Sequence, residues 1–286
     1  MILSQAFGRT TRRATIAGLL TSLVPAAAAR AQPVADLWPR WTRHDETNRT
    51  TLDHTAWSAI LARYATTGAD GVVRLPYGRV TPEDRQALAS YVATMQGAPV
   101  SSLARAEQLA YWINFYNALT VKVVLDRYPV KSIKDIGLGG SVAATFFGGP
   151  WDAKLVRIEG EQLSLNDMEH RILRPVWRDA RVHYALNCAS VGCPSLRKVA
   201  FTATNTPSLM DQSGRDYVNG PHGVRRQAAN IWVSSIYRWF RDDFGGTDAA
   251  IVGHLGGFAM GDLATALASG VKIQGDFYDW SLNDQS

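Results

Sequence analysis

His183-Tyr184-Ala185-Leu186-Asn187-Cys188-Ala189-Ser190-Val191-Gly192-Cys193-Pro194-Ser195-Leu196 runs from a strand-like segment into a turn and carries both cysteines of the chain. A histidine, an asparagine and a Gly/Pro turn share these fourteen positions, and no other segment concentrates reactive side chains in this way. Arg181 to Asn187 reads as the strand that feeds the turn. The segments on either side repeat their apolar residues at three- and four-residue spacing, the period of a helix. Helices around strands, with no internal repeat and no linker, predict one α+β domain over residues 32–286, helix-rich with a small central β-sheet.

Working outward, the strongest helical pattern runs from Arg105 to Tyr128, with Leu109, Trp112, Ile113, Tyr116, Leu119, Val123 and Val124 on a wide apolar stripe. Asn114 and Asn117 lie one turn apart on it and share a face, either to satisfy the backbone of a neighbouring element or to serve a site. Asp53 to Ala65 is a further helix, and Thr81-Pro82-Glu83-Asp84 opens another, with Thr81 as cap and Pro82 at its first position. Ser164 and Asp167 form a capping-box-like start to a helix that carries Glu169 and His170 and ends near Arg174-Pro175. Lys154 to Ile158, Asn230 to Ser234 and Val271 to Trp280 read as strands. Leu209 to Val218, Ile236 to Phe240 and the glycine-interrupted Ala249 to Ala268 read as helical. Gly137 to Gly149 lacks a phosphate-cradling arrangement and reads as a loop able to act as a flap. Gln32 to Asn48, with Trp38 and Trp41, reads as a lead lying on the domain surface.

At the N-terminus, Arg9, Arg12 and Arg13 precede an apolar run, Ile16 to Val24, and Ala29-Arg30-Ala31 has the small-residue pattern of a cleavage site. Residues 1–31 are expected to be an export signal cleaved before Gln32. The Arg12-Arg13 pair points to the twin-arginine route, from which Thr15 departs. An apolar core of about nine residues is too short to span a bilayer, so no stable membrane insertion is expected after cleavage, and the destination is the periplasm or the outside. A 286-residue chain, 46% hydrophobic and 19% charged, has enough apolar residues for a sizeable core. Its formal charge of +5 resides mostly in the signal, because removing four arginines and no acid leaves 26 basic against 25 acidic residues. Nucleic acid is therefore not an implied partner.

Four blocks recur in order: Tyr111-Trp112-Ile113-Asn114-Phe115-Tyr116-Asn117-Ala118-Leu119-Thr120; Leu165-Asn166-Asp167-Met168-Glu169-His170-Arg171-Ile172-Leu173-Arg174; Arg181 to Cys188 continuing to Cys193-Pro194; and Tyr278-Asp279-Trp280-Ser281-Leu282-Asn283. With them the chain resembles an exported bacterial member of the domain-of-unknown-function 547 family, over roughly residues 100–285. The resemblance implies no chemistry. It marks Cys188 as the family's usual cysteine and sets serine at the position of Cys193 in plant-type relatives, which implies that the motif is not kept for a disulfide.

The residues themselves support two readings. A cysteine is a nucleophile when a histidine favours its thiolate and a third group orients that histidine. Cys188 with His170 as base, and Glu169, Asn114 or Asn117 as orienting or oxyanion-stabilising groups, would suit a thiol-dependent hydrolase or acyltransferase. Such an enzyme would act on amide or ester bonds of a small-molecule or peptide substrate in the cell envelope, in a layout like that of cysteine proteases or transglutaminases by analogy of parts. Strand alternation puts His183 on the face opposite Cys188, which makes it the poorer base. The second reading starts from two cysteines in an exported chain, which by default form a disulfide, here closing a small loop. The protein is then a non-catalytic periplasmic binding or structural module with buried histidines.

Zinc on Cys188, Cys193, His170 and His183 would have unusual x4 spacing between its cysteines, and the Asp242-Asp243 and Asp276/Asp279 pairs lack a calcium loop. No metal or other cofactor is expected. His44, His54, His222 and His254 read as surface or packing residues. The tryptophans and tyrosines read mainly as core, with those near Phe146 to Trp151 able to line a cleft.

Overall fold

The computed structural model describes residues 34–138, 149–227 and 230–285. The export signal expected over 1–31 and most of the flap expected over 137–149 lie outside the described residues. The described part belongs to one compact unit. It is helix-rich, with mixed α and β elements.

Three helices lead. α1, Thr55–Tyr64, buries Trp57, Ile60, Leu61 and Tyr64 on one face. α2, Pro82–Gln96, starts as its sequence predicts, the Thr81 hydroxyl accepting from the Asp84 N–H at 3.2 Å. α3, Arg105–Arg127, is buried on nearly every side between Glu107 and Leu125, polar residues included, so it is a central helix rather than an amphipathic surface one. The lead segment also goes deeper than expected. Trp41 is buried edge-on against Trp112 of α3, with ring centroids 5.2 Å apart.

The strands are short because most of the core is helical. β1 (Thr66–Thr67) and β2 (Val73–Arg74) form one hairpin, and β3 (Val156–Ile158) and β4 (Glu161–Leu163) a second. The second hairpin turns at Glu159-Gly160, both in the left-handed region (φ 45° and 86°), as a tight two-residue turn requires. β5 (Val224–Gln227), β6 (Asn230–Ser234) and β7 (Ile273–Phe277) make the three-stranded sheet, antiparallel between β5 and β6 and parallel between β6 and β7. The single central sheet expected from the sequence is thus three small sheets among the described residues.

Two differences fall at the centre. Ser164 and Asp167 do form a reciprocal capping pair, the Ser164 N–H reaching Asp167 Oδ2 at 2.8 Å and the Asp167 N–H reaching Ser164 Oγ at 3.1 Å. The helix they open, however, widens into π turns over Asp167–Leu173 before Arg174–Trp177 resumes α geometry. The carbonyls of His170 and Arg171 accept from the N–H groups of Asp36 and Trp38, which anchors the lead.

The stretch read as a strand from Arg181 to Asn187 is instead a helical turn, Val182–Ala185, followed by extended chain. The Asp179 side chain accepts from the Arg181 N–H, and the Asp179 carbonyl accepts from the Val182 N–H, so the chain is wound before it can extend. His183 therefore does not alternate with Cys188 across a strand, contrary to the expectation from sequence. This turn also joins two apolar cores, since Val182, Ala185 and Leu186 belong to the one around α3 and Tyr184 to the one around β5–β7.

Candidate functional site

The widened turns present Glu169 and His170 inward, and the helical turn presents His183 towards them. Glu169 is buried, with Oε1 3.8 Å from His183 Nδ1 and 3.9 Å from His170 Nδ1, and Oε2 accepting from the Tyr116 hydroxyl at 3.2 Å. Burial pushes the Glu169 carboxyl above its ordinary range, although His183 and Arg174 pull the other way. His183 bonds through Nε2 to Asp243 Oδ2 at 2.7 Å and stacks on Phe240 at 4.2 Å. Burial lowers its pKa despite those carboxylates. His170 is lowered to about 3, first by burial and then by the Arg174 guanidinium, so both imidazoles favour the neutral form and neither contact to Glu169 is a full ion pair.

Asp243 holds the group together, since Arg174 Nε also donates to its Oδ2 at 2.5 Å. Burial raises the Asp243 carboxyl, but the bonds from His183 and Arg174 outweigh it and leave the pKa well below the usual range. One carboxyl pushed up and a neighbouring one pushed down is the pattern that separates an acid from a permanent anion.

Beside this cluster lies the turn with the cysteines, and they are joined: Cys188 and Cys193 form a disulfide with Cα atoms 6.1 Å apart, and neither is free. The Tyr278 hydroxyl lies 3.1 Å from each sulfur and 2.9 Å from Ser190 Oγ, itself 3.2 Å from Cys188 Sγ. The turn is held independently of the bridge. Asn187 Nδ2 donates to the Pro194 carbonyl, and the N–H groups of Val191 and Gly192 donate to Ser281 and Asp279. Gly192 is required there, because a Cβ would stand 2.8 Å from the Asp279 nitrogen.

Around the sulfurs runs a half-buried aromatic rim. Trp239 lies 4.7 Å from Tyr278 and 5.5 Å from Trp280, and Trp280 meets Trp151 at 5.8 Å. Phe240, next in sequence to Trp239, connects the rim to both histidines.

Of the residues singled out from sequence, the structure brings Glu169, His170 and His183 together, while Cys188 Sγ meets the hydroxyls of Ser190 and Tyr278. Asn114 and Asn117 are elsewhere. Asn114 exchanges two hydrogen bonds with the backbone of Phe201, and Asn117 bonds the Ala185 carbonyl and the Asn187 N–H. They act as clamps from α3. Arg174, Asp243, Phe240, Tyr116 and Tyr278 were not anticipated. Arg174 had a signal, four residues after His170 on one helical face. The distant ones had none.

Among the described residues no group of three or more His, Cys, Asp or Glu is placed to hold a metal ion. Asp243 is taken by Arg174 and His183, and Asp276 accepts from Ser235. The remaining histidines behave as side chains in contact with neighbours: His54 with the Tyr91 hydroxyl, His254 with that of Tyr184, His222 against the Tyr217 ring, and His44 exposed beside Arg105.

No curated protein matches this chain, and no solved structure does. A family model described as "Protein of unknown function, DUF547" matches residues 100–218. That span takes in α3, the π turns with Glu169 and His170, and the cysteine turn, while Phe240, Asp243 and Tyr278 lie beyond it. Over these residues the chain is similar to the DUF547 family of proteins of unknown function.

Proposed function

We propose that this chain is an exported ligand-binding module of the cell envelope, reached through the signal at 1–31 by the twin-arginine route and working in the periplasm. The ligand, a small molecule or a peptide, lies against Trp151, Trp239 and Trp280 beside the disulfide. The single observation that carries this reading is the closed Cys188–Cys193 bridge, which leaves no thiol to attack a carbonyl. A disulfide also suits an oxidising compartment. Half-buried aromatic rings beside a rigid polar floor offer the large, low-entropy contact area on which binding sites rely.

The test is iodoacetamide treatment of purified mature protein without reductant, followed by intact mass spectrometry. The expected result is no adduct at either cysteine, a mass short by the two hydrogens of a disulfide, and Gln32 as first residue. Rapid alkylation of Cys188 would overturn it.

One observation favours thiol chemistry as a second reading. Cys188 is half-buried rather than enclosed, and the Tyr278 hydroxyl that touches its Sγ lies within the electrostatic reach of Glu169. On reduction this is a thiol beside two hydroxyls, with the Glu169 carboxyl and its imidazoles lying beyond Tyr278 as the further parts that a cysteine hydrolase or acyltransferase would need. Cleavage of a model ester by the reduced protein, abolished in Cys188→Ala, supports that reading. Equal rates in the two proteins exclude it.

A further inference from the structure

We infer that the Cys188–Cys193 bridge is an electron-accepting site for a dithiol polypeptide, not a structural staple. It rests on the binding reading for where the partner lies, along the Trp239 and Trp280 rim, but its chemistry is tested separately.

The bridge is redundant for holding the turn. The loop closed by the bridge is short, with a sequence separation of 5, so its contribution to stability falls at the low end for disulfides. The turn is already held by Asn187 to Pro194, by Val191 and Gly192 to the C-terminal segment, and by the Asn283 N–H to the Ala189 carbonyl at 3.0 Å. Opening the bond leaves these in place.

The surroundings of the sulfurs favour the reduced pair. A disulfide sulfur is a weak acceptor, whereas a thiolate is a strong one. Yet three donors converge on this pair. The Cys188 N–H reaches Cys193 Sγ at 2.9 Å, the Tyr278 hydroxyl lies within 3.1 Å of both sulfurs, and the Ser190 hydroxyl within 3.2 Å of Cys188 Sγ. Donors that gain strength when the bond opens stabilise the reduced form, and a stabilised reduced form makes an oxidant.

The two sulfurs are also unequal in access. Cys188 is half-buried, and Cys193 is 4% exposed. An incoming thiolate attacks Cys188 Sγ, the S–S bond breaks, and Cys193 leaves as a thiolate received by the Cys188 N–H and the Tyr278 hydroxyl. The partner's second thiolate then attacks its own sulfur in the mixed disulfide and releases Cys188 towards Ser190. Two electrons and two protons pass from the partner's dithiol to this chain, and the partner gains the disulfide.

The experiment equilibrates the intact mature protein with mixtures of reduced and oxidised glutathione, then quenches, alkylates and weighs it, for wild type, Tyr278→Phe and Ser190→Ala. Wild type is expected to open within the glutathione range. Tyr278→Phe should need about tenfold more reducing conditions for half-opening, the loss of one hydrogen bond to a charged group. Ser190→Ala should shift in the same direction, and Cys193→Ala should trap a glutathione adduct on Cys188. Circular dichroism confirms that each variant is folded. A bridge that glutathione never opens, or midpoints unmoved in both folded variants, overturns the inference and leaves ligand binding at the rim standing. Loss of rim binding with a responsive bridge overturns the binding reading alone.

Discussion

Glu169, Arg174, His183 and Asp243 put ionisable groups where each costs several kcal/mol unless partnered. Asp243 carries most of the compensation, because it accepts from both Arg174 and His183. Asp243→Ala should therefore destabilise the protein by about 2–4 kcal/mol, the penalty for breaking a largely buried pair, while Asp243→Asn, which keeps an acceptor for His183, should lose less. Urea denaturation midpoints at constant m-value measure it. Losses equal in the two variants would mean that the retained acceptor contributes nothing beyond the charge. At this scale the four-residue spacing of His170 and Arg174 was the one local signal for Arg174, and it did not single that residue out. Asp243 had no such signal, since it meets Arg174 across 69 residues and no local pattern joins them.

Among the elements, α3 and the cysteine turn depend on each other through Asn117. Its amide bonds the Ala185 carbonyl at 2.8 Å and the Asn187 N–H at 2.8 Å, all of them buried. Asn117→Ala leaves two buried backbone groups unpaired and should cost about 2–4 kcal/mol at 1–3 kcal/mol per group. In the same variant the disulfide turn should exchange its amide hydrogens faster, as hydrogen exchange by mass spectrometry would detect. Unchanged exchange in the turn would deny the clamp. Caps were legible at this scale because they are local, as with Thr81 and with Ser164 paired to Asp167. The helical turn at Val182–Ala185 was misread because β-favouring residues fill it. Asp179 two residues upstream of Arg181 was the available signal for a wound chain.

At the scale of the molecule, the two cores share the Val182 to Leu186 stretch, and buried histidines are spread over both. Burial holds His54, His222 and His254 at about 4 and His170 at about 3. The unfolded chain takes up protons on these groups near their ordinary value of 6.5 while the folded chain does not. Their contribution is therefore intact above about pH 6.5 and lost as pH falls towards their folded values. Glu169, raised in the fold, works in the opposite direction, but it is one group against five, since His183 is lowered as well. Urea midpoints should fall between about pH 7 and about pH 4.5, with circular dichroism and tryptophan fluorescence tracing one transition because the cores are joined. A midpoint that is flat or rises on acidification would contradict this.

What could be read from the chain alone was whatever depends on neighbours in sequence. The α+β class, the long helix, the capped start at Ser164, the cysteine turn as centre and the family all rest on local periodicity and compact motifs. Folding alone decided that Asn114 and Asn117 clamp backbone instead of facing Glu169, that His183 turns towards that carboxyl, and that Asp243, Phe240 and Tyr278 complete the cluster. These residues come from segments dozens of positions apart. Burial and pairing set their protonation, and neither property exists until the two cores close around the chain.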